Sequence, residues 1–169
     1  WNTGIDNRII NGDFWIDQRN EGASITPAAA GYICDKWRQD QTQASKLSFQ
    51  RTGAFTGFAK SLTVTVAASI TAGAADQFTL QQRIEGLQCT DLGFGGTPNC
   101  GSLILSFNAQ ASVTGTYCVA LQNSAANRSY LATFTLTAAT PKTVILTITP
   151  DLTGTWLTTN GIGINVLFD

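Results

Sequence analysis

A hydrophobic period of two residues runs through this chain from end to end and constrains its fold more than any other feature. In Ser61 to Ala67 the apolar Leu62, Val64 and Val66 fall on one side and Thr63 and Thr65 on the other, the pattern of a half-buried strand. Tyr130 to Thr137 repeats it, with Tyr130, Ala132, Phe134 and Leu136 opposite Leu131, Thr133, Thr135 and Thr137. Segments of the same kind cover Arg8 to Asp17, Cys34 to Gln39, Lys46 to Arg51, Phe78 to Glu85, Leu103 to Gln110, Thr116 to Gln122, Thr143 to Thr149 and Ile162 to Phe168. No stretch sustains the i, i+3, i+4, i+7 spacing of an amphipathic helix. Turn signals such as Asn20-Glu21-Gly22, Thr140-Pro141 and Pro150 to Gly154 separate the segments. The short Ala28 to Ala30 and Ala67-Ala68 runs read as loops. About ten short strands at this spacing predict an all-β, antiparallel sandwich or barrel.

The length of 169 residues suits a single domain, which would bury about 70% of its unfolded surface. Only 12% of residues are charged, against roughly 25% in an ordinary soluble domain, so the surface is expected to be polar but nearly uncharged. A net charge of -1 offers no field for phosphate and argues against nucleic acid or anionic membrane as partners. The absence of histidine excludes Ser-His-Asp and Cys-His catalysis and histidine metal ligands. No apolar run reaches the roughly 18 to 20 residues of a membrane helix, and no secretion signal is visible, so membrane insertion is not expected. The chain begins at Trp1 and has no Met. It therefore reads as a processed product or a segment of a longer polypeptide, with residues 1–6 as a lead-in and 7–169 as one domain.

Of the four cysteines, Cys89 and Cys100 bracket a glycine-rich loop between two expected strands, where a disulfide would contribute about 2–4 kcal/mol. Cys34 and Cys118 either pair across the sandwich or remain buried thiols. Zinc is the weaker reading, since there is no C-x-x-C pair. Disulfides would place the protein outside a reducing cytosol.

Catalysis by two carboxylates needs acids about 5–9.5 Å apart. Asp13 and Asp17, four residues along one strand, would stand about 13 Å apart, and Asp35 and Asp40 would face opposite sides. The two glutamates, Glu21 and Glu85, have no acid nearby in sequence. These acids read as solvated or turn-capping groups.

Binding is better signposted. Alternation in the first segment puts Ile10, Phe14 and Ile16 toward the core and Asn11, Asp13, Trp15, Asp17 and Arg19 on the opposite face. Trp15 is then exposed between Asp13 and Asp17. Two readings stand side by side: a platform on which a sugar ring stacks while its hydroxyls meet the carboxylates, or an anchor against a neighbouring subunit. On Phe78 to Glu85 the row Thr79, Gln81, Arg83 and Glu85 is wholly polar, ready for glycan or for water. Trp156, after the turn Asp151 to Gly154, belongs on a loop at the sandwich edge, either binding or sealing. Trp37, between Lys36 and Arg38, is turned inward. Asn11, Asp13 and Asp169 supply oxygens that would suit calcium where the first and last strands meet. Asn127-Arg128-Ser129 fits a glycosylation pattern that matters only in a eukaryotic secretory setting.

The stretch Asn7-Arg8-Ile9-Ile10-Asn11-Gly12-Asp13-Phe14, ending in Gln18-Arg19, resembles the opening of a domain found at the ends of bacteriophage tail fibres and related virion appendages. Gly31-Tyr32, Asp35-Lys36-Trp37, Gln82-Arg83-Ile84-Glu85 and Leu105-Ser106-Phe107-Asn108-Ala109 match later motifs of that group. The same order is similar to jelly-roll carbohydrate-binding modules, except that Trp15 stands where they usually have Glu, which argues against their structural calcium. The final G-V-Q-L-E-like strand of the group is replaced by Ile164 to Asp169. The resemblance implies an antiparallel jelly-roll β-sandwich that is non-catalytic, sits on a virion as tail fibre or capsid decoration, and assembles as a homotrimer with other virion proteins. It would bind host-surface polysaccharide during adsorption, with Trp15, Asp13, Asp17, Gln81, Arg83 and Trp156 as the expected contacts and no cofactor. A purely structural capsid or tail role and a carboxylate-dependent glycosidase are the alternatives.

Overall fold

The alternating segments become strands. A computed structural model describes residues 6–96 and 102–169, which contain β1 (Gly31–Cys34), β2 (Trp37–Gln41), β3 (Leu47–Thr52), β4 (Ser61–Val66), β5 (Phe78–Glu85), β6 (Leu103–Ala109), β7 (Gly115–Gln122), β8 (Ser129–Leu136), β9 (Lys142–Ile148) and β10 (Ile162–Phe168). A single 3-10 turn follows β5 at Gly86–Gln88. The protein is all-β, and its strand pairs are antiparallel.

Six strands form one sheet in the order β1-β2-β5-β10-β7-β8, while β3-β4 and β6-β9 form two ribbons. Both ribbons lie over the same face of the large sheet and complete the sandwich. One core cluster joins Val119, Leu121, Ile164 and Val166 of the sheet to Ile148, Leu103, Leu105 and Leu146 of the β6-β9 ribbon. A second joins Trp37 and Leu80 to Phe49, Leu47 and Leu62 of the other ribbon. Phe168 belongs to both clusters. β4 pairs only with β3, so Leu62 reaches the core while Val64 and Val66 are exposed, contrary to the half-buried strand expected there.

The expected strand from Arg8 to Asp17 does not form. Asn11 and Phe14 take left-handed backbone angles of 55° and 54°, which end an extended run. The Asn11 side chain replaces strand pairing: Nδ2 donates to Ile16 O (2.8 Å) and Asp35 O (2.9 Å), and Oδ1 accepts from Ile16 N (2.9 Å). Local hydrogen bonding of this kind is why Asn and Asp favour turns over ladders. The expected inward face is lost with the strand, since Ile10 and Ile16 are exposed. Phe14 still reaches the core edge, its ring centroid 5.0 Å from that of Trp37. The expected Cys34 to Gln39 strand is split into β1 and β2 by a turn in which Lys36 has φ 68°. Trp37 is buried, as its position between two cations predicts.

Candidate functional site

Among the described residues no strand packs on the other face of the six-stranded sheet, and on β2 and β5 this face collects polar side chains by alternation, while Leu167, Ala120 and Leu131 continue it across β10, β7 and β8. On β5, Phe78, Leu80 and Ile84 turn toward the ribbons, so Thr79, Gln81, Arg83 and Glu85 turn away. Register extends the pattern sideways. Tyr32 pairs with Arg38, Arg38 with Gln81, and Gln81 with Leu167, giving one row across β1, β2, β5 and β10. Arg83 pairs with Asn165 and Asn165 with Gln122, giving the next row. The middle of this face is recessed: Gln81 is 3% and Asn165 9% exposed, whereas Tyr32 at the margin is 47% exposed. Asn165 Oδ1 is buried without a hydrogen-bond partner, an unsatisfied acceptor of a kind that usually costs 1–3 kcal/mol.

An open depression of about 440 Å³ adjoins this face and is lined by Gln18, Arg19, Tyr32, Cys34, Asp35 and Lys36. Its size falls within the range of small-ligand sites. Asp35 is held in place by Gln18, whose backbone N–H donates to Oδ2 at 2.7 Å. Arg38 and Asp40 form an ion pair at 3.3 Å. The Cys34 thiol is completely buried, and burial first, then the Asp17 carboxylate, raises its pKa. It donates to Ile16 O at 3.0 Å.

The expected contact residues separate into three groups. Gln81 and Arg83 share one face of β5, where Arg83 is exposed and Gln81 is buried. Trp15 is exposed, and Asp13 next to it accepts a bond from the Trp15 backbone N–H at 3.4 Å, so these two share the N-terminal loop. Asp17 and Trp156 are not surface groups: the expected exposure of Asp17 is corrected, and of the two readings of Trp156, binding at the surface is the one that fails. Asp17 is buried because it caps its own turn, accepting from Asn20 N (3.2 Å) and Gly22 N (2.8 Å) beside Arg51. Trp156 is buried against Phe94 at a centroid distance of 4.4 Å, which is the sealing role. The calcium arrangement needed the first and last strands to meet, but the first is a loop and Asn11 is engaged in that loop. Among the described residues no group of three acidic or thiol ligands converges. Cys34, Cys89 and Cys118 are thiols, so Cys34 and Cys118 do not pair. The expected Cys89–Cys100 bridge involves Cys100, which lies outside the described residues. Burial raises the Cys89 thiol to about 11.

Sequence reasoning missed Asn165, Arg38 and Tyr32 as members of this face. Their alternation was visible, but only the register shows that they flank Gln81 and Arg83.

One end of the sandwich is fastened by charge. Arg128 grips Asp151 through Nε to Oδ2 and through Nη2 to Oδ1 at 3.0 Å, and Nη2 also donates to Thr153 at 2.5 Å. These bonds, that from Arg128 above all, hold the Asp151 carboxyl well below its ordinary value of 3.8. A pKa lower in the folded than in the unfolded chain stabilises the fold above the unfolded value, and that stabilisation is lost as pH falls through the folded one. The thermal midpoint is therefore expected to drop as pH falls below 3.8. Asp151→Asn should make that decline shallower, and an unchanged acid limb in a scanning-calorimetry series would remove Asp151 as a cause.

Comparison of the chain with protein-family models, with curated proteins and with solved structures returned no match.

Proposed function

We propose that this chain is a non-catalytic module of a bacteriophage virion, in tail fibre or capsid decoration, that binds host-surface glycan during adsorption. The observation that supports it is the uncovered, recessed polar face between Tyr32 and Gln122. A sugar ring presents apolar C–H groups to an aromatic face and hydroxyls to amides. Tyr32 supplies the first, and the Gln122 amide at the margin of the face supplies the second. The virion setting rests on the N-terminal and later motifs that resemble tail-fibre ends. The exposed Trp15 and Asp13 form a second, smaller contact on the N-terminal loop.

A subunit-contact role is the second reading, favoured by the edge strand β8. Its eight residues, Ser129–Leu136, carry no charge, and its register with β7 is unbroken. Edges of this kind are usually blunted by charge or bulges. Affinity electrophoresis through bacterial-envelope polysaccharides, together with native mass determination, tests both readings. Retardation by glycan that Tyr32→Ala reduces by about tenfold, in line with losing one aromatic contact, supports the binding reading. A stable homotrimer that no glycan retards would replace it with the structural one. Release of new reducing ends would replace it with hydrolysis.

A further inference from the structure

The charged groups of this face select among glycans, a step that rests on the glycan-binding reading above. Of the six arginines, Arg8, Arg38, Arg51 and Arg128 are ion-paired. Among the described residues, the Arg83 and Arg19 side chains have neither a carboxylate partner nor a hydrogen bond. Both border the same surface, Arg83 in register with Asn165 and Arg19 in the depression beside Tyr32.

The acids nearby do not neutralise Arg83. Asp40 is taken by Arg38, Asp35 accepts from Gln18, and Glu85, two residues along the same face of β5, makes no ion pair with Arg83. In a chain with so few charges, two unpaired guanidinium groups beside one recessed polar face point to an anionic ligand. A guanidinium fork matches a carboxylate with two parallel hydrogen bonds. Gln122, paired with Asn165 and half-buried, offers its amide to a hydroxyl. Two strand spacings, about 10 Å, separate Tyr32 from Gln81, room for a short oligosaccharide between the aromatic ring and the cation.

We propose that the ligand is an acidic glycan, of uronic- or sialic-acid type, whose carboxylate is held by Arg83 while an adjoining sugar ring lies against Tyr32. The test uses the full chain with polygalacturonate and polysialic acid, the carboxyl-reduced form of each, and poly-L-glutamate as a polymer with charge but no sugar. Calorimetric titration should show the acidic glycans bound at least about tenfold more tightly than their reduced forms, the loss expected for one charge-assisted bidentate contact. Arg83→Gln should abolish that difference, and Arg83→Lys should restore part of it. Arg83 is exposed, so both variants should keep the parent's thermal midpoint.

Equal binding of acidic and reduced glycans, or a preference that survives Arg83→Gln, overturns the acidic-ligand inference and leaves glycan binding standing. Poly-L-glutamate bound as tightly as the acidic glycans overturns it in favour of charge alone. Binding of none of these polymers overturns both the inference and the glycan reading on which it rests.

Discussion

Trp37→Ala is expected to destabilise the fold by about 3–5 kcal/mol, the range for truncating a large buried aromatic. Trp15→Ala should change stability by no more than about 0.5 kcal/mol, as surface substitutions do. The two tryptophans lie 22 positions apart and differ in almost every physical respect. Trp37 is 4% exposed, packs between Phe14 and Phe168, and donates its Nε1–H to Asn11 O at 2.8 Å. Its loss empties a core site and removes one of the two donors to Asn11 O, leaving the Phe14 N–H at 3.1 Å. Trp15 is 59% exposed. Chemical denaturation of both variants reads the difference directly, and equal losses would mean that the loop holds Trp15 in the core.

Asp17→Ala should cost about 3–5 kcal/mol, the range for breaking one partner out of a buried pair. The carboxylate satisfies the backbone N–H groups of Asn20 and Gly22 and lies 3.6 Å from Arg51 Nε, with its side chain almost wholly buried. Removing it strands two donors and a cation at once. Asp17→Asn keeps one of the two acceptor oxygens and should lose less. A loss under about 1 kcal/mol for Asp17→Ala would mean that water replaces the carboxylate, as at an exposed ion pair.

Much of the fold was legible because a two-residue period is a direct imprint of strand geometry. β5 and β10 begin and end where the alternation does, and most other strands shift by a residue. The failure at Arg8 to Asp17 has a local cause. Ile10, Phe14 and Ile16 alternate as a strand would, but Asn11-Gly12 holds turn chemistry that side-chain hydrogen bonding turns into a loop. Asp17 was misplaced by the same error, since its face assignment depended on the strand. The polar face of β5 was visible in the sequence as the row Thr79, Gln81, Arg83 and Glu85. Its neighbours were not, because pairing partners such as Asn165 lie about eighty positions away and only the sheet order brings them alongside. Trp156 could not be placed for a related reason: its burial depends on Phe94, in another loop.

The bonds between Gln82 and Ile10 carry a consequence for how the N-terminal segment is held. Gln82 Nε2 donates to Ile10 O at 2.8 Å, and Gln82 Oε1 accepts from Ile10 N at 2.7 Å. A primary amide thereby presents to Ile10 the same donor and acceptor that a facing peptide group would. Gln82 supplies one rung of the docking, and the bonds from Asn11 Nδ2 to Asp35 O, from Trp37 Nε1 to Asn11 O and from Gln18 N to Asp35 supply the rest, where a strand would use a ladder. A ladder can slip by whole residues and turn every side chain over, whereas bonds made by particular side chains index the segment to one position. The seating of this segment therefore depends on the identities of Gln82, Asn11 and Trp37, and not on an alternating pattern along it.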